Sequence, residues 1–164
     1  MPGSRTRPRA SSPREERGAA AVEFALVAPL LVFLLFAIIA YGYMLSFRQS
    51  LSQAAAEGAR AAAVAPTALT TDQKKTRARS AINDALTSYG VSCTSSGQLM
   101  RGTNPAGTCV ITLPRSCTTS TIGGLCAQVS LDYTYKDDSL LPALPGVGIV
   151  LPEHLQYSTE SQVS

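Results

Sequence analysis

The sequence predicts an α+β protein: a long N-terminal helix able to cross a membrane, then a second helix and a small antiparallel β-sheet head with disulfides. Three observations carry this expectation. Phe24 to Phe47 is a run of 24 residues without a charge, CAQVSLDYTY alternates apolar and polar residues strictly, and all four cysteines lie in the C-terminal half.

The apolar run comes first. At 1.5 Å per residue it spans about 36 Å as a helix, enough to cross a hydrocarbon core of about 30 Å with some tilt. Five arginines, Arg5, Arg7, Arg9, Arg14 and Arg17, precede it against Glu15 and Glu16, and only Arg48 and Arg60 follow soon after. Positive charge is retained on the cytoplasmic side, so the N-terminus is expected in the cytoplasm and the chain after Phe47 outside it. Tyr41, Tyr43 and Phe47 are expected near the outer interface, where amphipathic rings are favoured. Pro29 lies inside the run, where a local bend can be accommodated. A secretory signal peptide is a poorer account, because its apolar region is usually about 7 to 15 residues and is followed by a small-residue cleavage site.

Charge narrows the function classes. Of 14 basic and 11 acidic residues, the first 18 positions hold five and two, which leaves the other 146 residues balanced at nine and nine. The basic excess is thus a topology signal in a leader. Nucleic-acid binding needs cations clustered on a folded face, so no nucleic acid is expected as a partner. An apolar fraction of 45% excludes disorder along the whole length.

One acid, Glu23, stands at the mouth of the run in the string RGAAAVEFALVAPLLVFLL. At the interface it can simply reach water. An ionisable residue beside a membrane span is also a functional-site candidate, and the question becomes which cation it meets. The string resembles the N-terminus of the TadE-like minor pilins, or pseudopilins, of the Tad/Flp branch of type IV-like pilus systems. In that pattern Gly18 stands as the last leader residue, Ala19 as the mature N-terminus, Glu23 as the fifth mature residue and Phe24 as the aromatic that follows. The resemblance extends from Arg17 to about Ala63 and is loose beyond. It implies a class III signal peptide cut after Gly18 by a membrane-embedded prepilin peptidase. It also implies assembly of the helix with other pilins, pseudopilins and the pilus assembly machinery. Physical reasons stand beside it. Glycine lets a protease approach the scissile backbone closely. The new α-amino group is a natural partner for Glu23 of a neighbouring subunit, an attraction of roughly 4 kcal/mol at 4 Å and an effective dielectric of 20.

After Phe47 the pattern stays helical but becomes small. Ala54, Gly58 and Ala62 recur every four residues, as do Ala55, Ala59 and Ala63 beside them. Such stripes let backbones approach, and they are candidates for helix assembly, although alanine also simply favours helix. Pro66 is expected to end the helix near Ala65. The expected organisation is a leader over 1–18, a helix over 19–65 with its transmembrane part at 24–47, and an extracytoplasmic α+β domain over 66–164.

Within that domain a second helix is expected from Asp72 to about Ser88, capped by Thr71 or Asp72. Ala78, Ile82, Ala85, Leu86 and Tyr89 form its apolar stripe and Gly90 ends it. Ala127 to Tyr135 reads as a half-buried strand, Cys109, Ile111 and Leu113 as its antiparallel neighbour, and Pro114 to Leu125 as the loop between them. A short strand is possible at Gly148 to Leu151. An even number of cysteines in a small exported domain argues for two disulfides among Cys93, Cys109, Cys117 and Cys126. Three pairings are open; local loop closure favours Cys93 with Cys109 and Cys117 with Cys126. Zinc is the competing use, but the spacings lack a C-x-x-C pair and His154 is the sole histidine, so no metal and no cofactor are expected.

Catalysis has little to stand on, with one histidine and cysteines committed to disulfides, so no enzyme is expected. The favoured function is a minor pilin or assembly factor of a Tad/Flp-type pilus, in the cytoplasmic membrane or in the fibre, where cell adhesion is the associated role. The alternative is an unprocessed single-pass membrane protein whose disulfide-bonded head binds an extracellular ligand.

Overall fold

The computed structural model describes residues 13–118, 124–140 and 152–163, which form two compact units, residues 1–40 and 41–164. Helix α1, Pro13–Ala63, belongs to the first unit up to Ala40 and to the second from Tyr41. It continues through Pro29 and ends two residues before the position expected from Pro66.

The second unit holds the α+β head. After α1 come α2 (Thr71–Leu86), a single 3-10 turn (Thr87–Tyr89) and five strands: β1 (Val91–Cys93), β2 (Gln98–Arg101), β3 (Asn104–Ser116), β4 (Leu125–Tyr133) and β5 (Leu155–Gln162). Each strand pairs antiparallel with the next, so the sheet order is the chain order. Such a meander needs only local connections, which suits a chain segment of this length.

Helix α2 begins at Thr71, one residue before the expected start at Asp72. Thr70 is the N-cap, and its side chain accepts from the Gln73 N–H at 3.3 Å while Gln73 Oε1 accepts from the Thr70 N–H at 2.9 Å. This reciprocal capping box outcompetes Thr71 and Asp72 because it satisfies two free donors at once. Ala78, Ile82 and Leu86 are buried, with Ala85 and Tyr89 packed beside them, as the stripe predicts. Gly90, at φ +66°, closes the following 3-10 turn.

The alternation in β4 places Ala127, Val129, Leu131 and Tyr133 inward, and the register sets Cys109 opposite Leu131 and Ile111 opposite Val129. Strand β3 is longer than its apolar alternation suggests: Asn104, Pro105, Gly107 and Thr108 also pair, as do Arg115 and Ser116 across an irregularity between Thr112 and Arg115 beside the cis Leu113–Pro114 bond. The expected loop therefore starts only after Ser116. Gly107 sits at φ +152°, where a Cβ would lie 2.0 Å from the Asp132 carbonyl oxygen, so only glycine lets β3 approach β4 there. Strands β1, β2 and β5 add to the expected pair, and the expected strand at Gly148 to Leu151 lies outside the described residues.

Both disulfides follow the local pairing. Cys93–Cys109 links β1 to β3, and Cys117–Cys126 links the chain just after β3 to β4. The four sulfurs are therefore unavailable as zinc ligands.

The core lies between the sheet, α2 and the last five turns of α1. Met44, Phe47, Leu51, Ala54, Ala55, Gly58, Ala59, Ala62 and Ala63 are buried, a stripe at helical spacing. Phe47, expected at a membrane interface, is instead wholly inside the head. Its ring lies 4.8 Å from Tyr133, 5.0 Å from Tyr89 and 6.1 Å from Tyr135, centroid to centroid, and Tyr43 meets Tyr89 edge-on at 5.7 Å. Tyr133 donates to the Asp138 carbonyl at 3.0 Å, so its hydroxyl is not left unsatisfied by burial.

Phe47→Ala should destabilise the head by about 3–5 kcal/mol in denaturant unfolding, whereas Val110→Ala, half exposed on β3, should change it by under about 0.5 kcal/mol. Alkaline pH should act on the same cluster. Burial pushes the Tyr133 hydroxyl up to about 12 and raises Tyr135 for the same reason. The unfolded chain then loses these protons first, at a pH of about 10. Stability is therefore complete below pH ~10 and falls as pH rises towards ~12, by about 3 kcal/mol for Tyr133. Unfolding curves across that range should show the fall, and Tyr133→Phe should remove most of it.

Candidate functional site

The residues singled out in the sequence separate into two places. Gly18, Ala19, Glu23 and Phe24 lie together in the first unit, all inside α1 and all exposed. Ala19 and Glu23 are four residues apart, so they share one face of the helix. Glu23 has no ion-pair partner among the described residues. A Cβ built on Gly18 meets nothing within 4 Å, so no packing requirement explains a glycine there.

Downstream of Glu23 the helix surface is apolar on every side. Phe24, Leu26, Leu30 and Leu31 are 57–74% exposed, and the exposed series continues through Ile38 and Ile39. Water would not tolerate such a surface on a soluble protein, where contiguous apolar patches are small. The segment Gly18–Ala63 is long and apolar enough to cross a membrane, and its most apolar 18-residue stretch is entirely unburied. In a bilayer, a helix with every backbone group bonded internally is one of the few structures that can span.

The second place is the small-residue stripe. Ala54 and Ala62 are fully buried, and Gly58 lies against α2, where a Cβ would come within 2.6 Å of Ile82 Cγ1. Sequence reasoning assigned Ala54, Gly58 and Ala62 to assembly between helices. In the folded chain their close approach is to its own α2 and sheet: Ala62 and Ala63 pack with Ala78, Leu113 and Ala127, and Ala54, Ala55 and Ala59 with the main core. The physical property, a surface without side-chain bulk, is the one expected. The partner differs because α2 comes within reach through the loop after Ala63, and a linked surface is met before any other chain.

Further anchors of this clasp escaped the sequence reading. Arg48 Nε donates to the Tyr157 hydroxyl, and the Ser46 hydroxyl pairs with that of Tyr89 at 2.8 Å. Tyr157 belongs to β5, whose alternation of Leu155, Tyr157 and Thr159 with Gln156, Ser158 and Glu160 was the available signal. Asn83 likewise grips the free edge of β1, accepting from the Cys93 N–H at 2.6 Å and donating to its carbonyl at 3.3 Å.

Comparison with known proteins bears on the helix. No curated protein and no solved structure matches the chain. Residues 18–60 match the family model for TadE-like proteins, a span that opens at Gly18 and closes within the clasped part of α1. This segment is TadE-like, and together with the exposed apolar helix it fits a membrane protein related to the Tad pilus.

Proposed function

We propose that the chain is a minor pilin, or pseudopilin, acting as a subunit or assembly factor of a Tad/Flp-type pilus, with a structural and not a catalytic role. The TadE-like match over residues 18–60 is the observation that carries this reading. In it, the N-terminus lies in the cytoplasm and the disulfide-bonded head outside, in keeping with the leader arginines and with the oxidising compartments in which disulfides persist. A prepilin peptidase cuts after Gly18. The mature chain then begins at Ala19, with an amine four residues before Glu23 on a helix whose sides are free to meet other apolar helices. Pairing of that amine with Glu23 of a neighbour sets the register of assembly, because an unpaired charge in the bilayer costs about 2.5–3.5 kcal/mol.

N-terminal sequencing of the membrane-extracted protein should begin at Ala19; a chain that keeps its leader in cells with an active prepilin peptidase would sink the proposal in favour of an unprocessed single-pass receptor. Gly18→Val should block the cut without disturbing the helix, since the added side chain meets no neighbour. Glu23→Ala should still be cut but should lower co-purification with other pilus components by about tenfold.

A further inference from the structure

Beside the disulfide that joins β1 to β3, a cavity of about 380 Å³ opens between α2 and the turn after β1. Its wall carries two cations, Lys75 and Arg79, and four hydroxyl residues, Thr94, Ser95, Ser96 and Thr108. Lys75, Arg79 and Asn83 follow one another at intervals of four, so they share one face of α2. Asn83, at the end of this row, is bound to Cys93 through both its amide atoms, and Cys93 is bound to Cys109. The face of α2 that bears the two cations is therefore held in place over the 94–97 turn. That turn is itself braced: the Thr94 and Ser96 hydroxyls pair at 2.8 Å, Thr94 Oγ1 accepts from the Gln98 N–H at 3.1 Å, and the Gly97 carbonyl accepts from the Cys109 N–H at 2.9 Å.

The cations are unanswered. Neither Lys75 nor Arg79 has an ion-pair or hydrogen-bond partner for its charged group among the described residues, and the side chains of Ser95 and Thr108 have none either. The Arg79 Nε is shielded from water without an acceptor. A buried donor with no acceptor is rare and calls for an explanation, of which a missing ion or ligand group is one. From Asp72 to Arg79 the helix holds four cations, Lys74, Lys75, Arg77 and Arg79, against the single acid Asp72, whereas the rest of the chain beyond residue 18 holds five cations against eight acids. A concave wall of one sign concentrates counter-ions.

We propose that this cavity is a binding site for a tetrahedral oxyanion, a phosphate group held by Arg79 and Lys75 and oriented by the uncommitted hydroxyls of Ser95 and Thr108. Arginine supplies a planar fork of donors that fits phosphate oxygens, lysine adds a mobile point charge, and hydroxyls donate to the remaining oxygen. The site is far in sequence from Gly18 and Glu23 and does not depend on the chain being processed or assembled. The phosphate can be a free ion or an ester on a larger molecule, and these are separable.

Full-length protein in detergent, titrated by calorimetry with inorganic phosphate and with glucose 1-phosphate at fixed ionic strength, should show saturable binding in roughly the millimolar range or tighter. Glucose should give none. Arg79→Gln and Lys75→Gln should each weaken binding by about tenfold while leaving the unfolding midpoint and both disulfides intact. Tighter binding of glucose 1-phosphate than of inorganic phosphate supports an ester as the ligand; equal binding supports the free ion. Absence of saturable binding for both probes, or binding unchanged in both variants, overturns the proposal.

Discussion

The burial of one stripe of α1 beneath the sheet is the interaction on which the rest of the head depends. Phe47 fills the middle of it, touching Tyr89 after α2, Tyr133 in β4 and Tyr135 just beyond, so that one side chain joins every layer of the core. Below it the helix narrows to alanines and Gly58, and α2 settles against them through Ala78 and Ile82. A five-stranded meander has one face to cover, and these two helices cover it. Without the α1 stripe, Val129, Leu131 and Tyr133 would face water.

Residue size divides the work along this helix. From Phe24 to Ile39 large apolar residues occur on all sides and are exposed, as a surface facing lipid requires. From Met44 the apolar residues narrow to a stripe, and Arg48, Gln49, Gln53, Glu57 and Arg60 occupy the exposed side. The transition lies inside the uncharged run, so hydropathy alone does not locate it. The basic face of α2 follows a similar logic: Ala78 and Ile82 turn into the core, which leaves the row Lys75, Arg79 and Asn83 to meet β1 and its turn.

Much of this was legible in the sequence where a local pattern had one physical meaning. Unbroken apolarity meant a helix long and apolar enough to cross a membrane, alternation in β4 meant a half-buried strand, and short cysteine separations matched the observed disulfides. The pairing edges were less legible. Strands β1 and β2 are only three and four residues long, too short for a period to register. β5 alternates, but with serine, threonine and glutamine in a half-exposed edge strand, where apolar contrast is weak. For α2, the competition among Thr70, Thr71 and Asp72 was decided by the reach of Gln73, a reciprocal contact that composition does not rank.

By itself, then, the sequence determined the classes of surface this protein carries: a lipid-compatible helix behind a basic N-terminal stretch, a bulk-free stripe, an alternating strand and four oxidisable thiols. Each follows from the residue's own transfer free energy, size or chemistry. Only the tertiary structure decided which surfaces meet. It turned the stripe of Ala54, Gly58 and Ala62 towards the chain's own α2 and drew Phe47 out of the membrane interface into a ring of tyrosines. It also set Lys75 and Arg79 over a braced hydroxyl turn. The reason is that a flat helix face or a positive one fits many partners equally well, and choice among them is made by connectivity: the short loop after Ala63 brings α2 back onto α1, and two disulfides hold together the strands of the sheet that covers them.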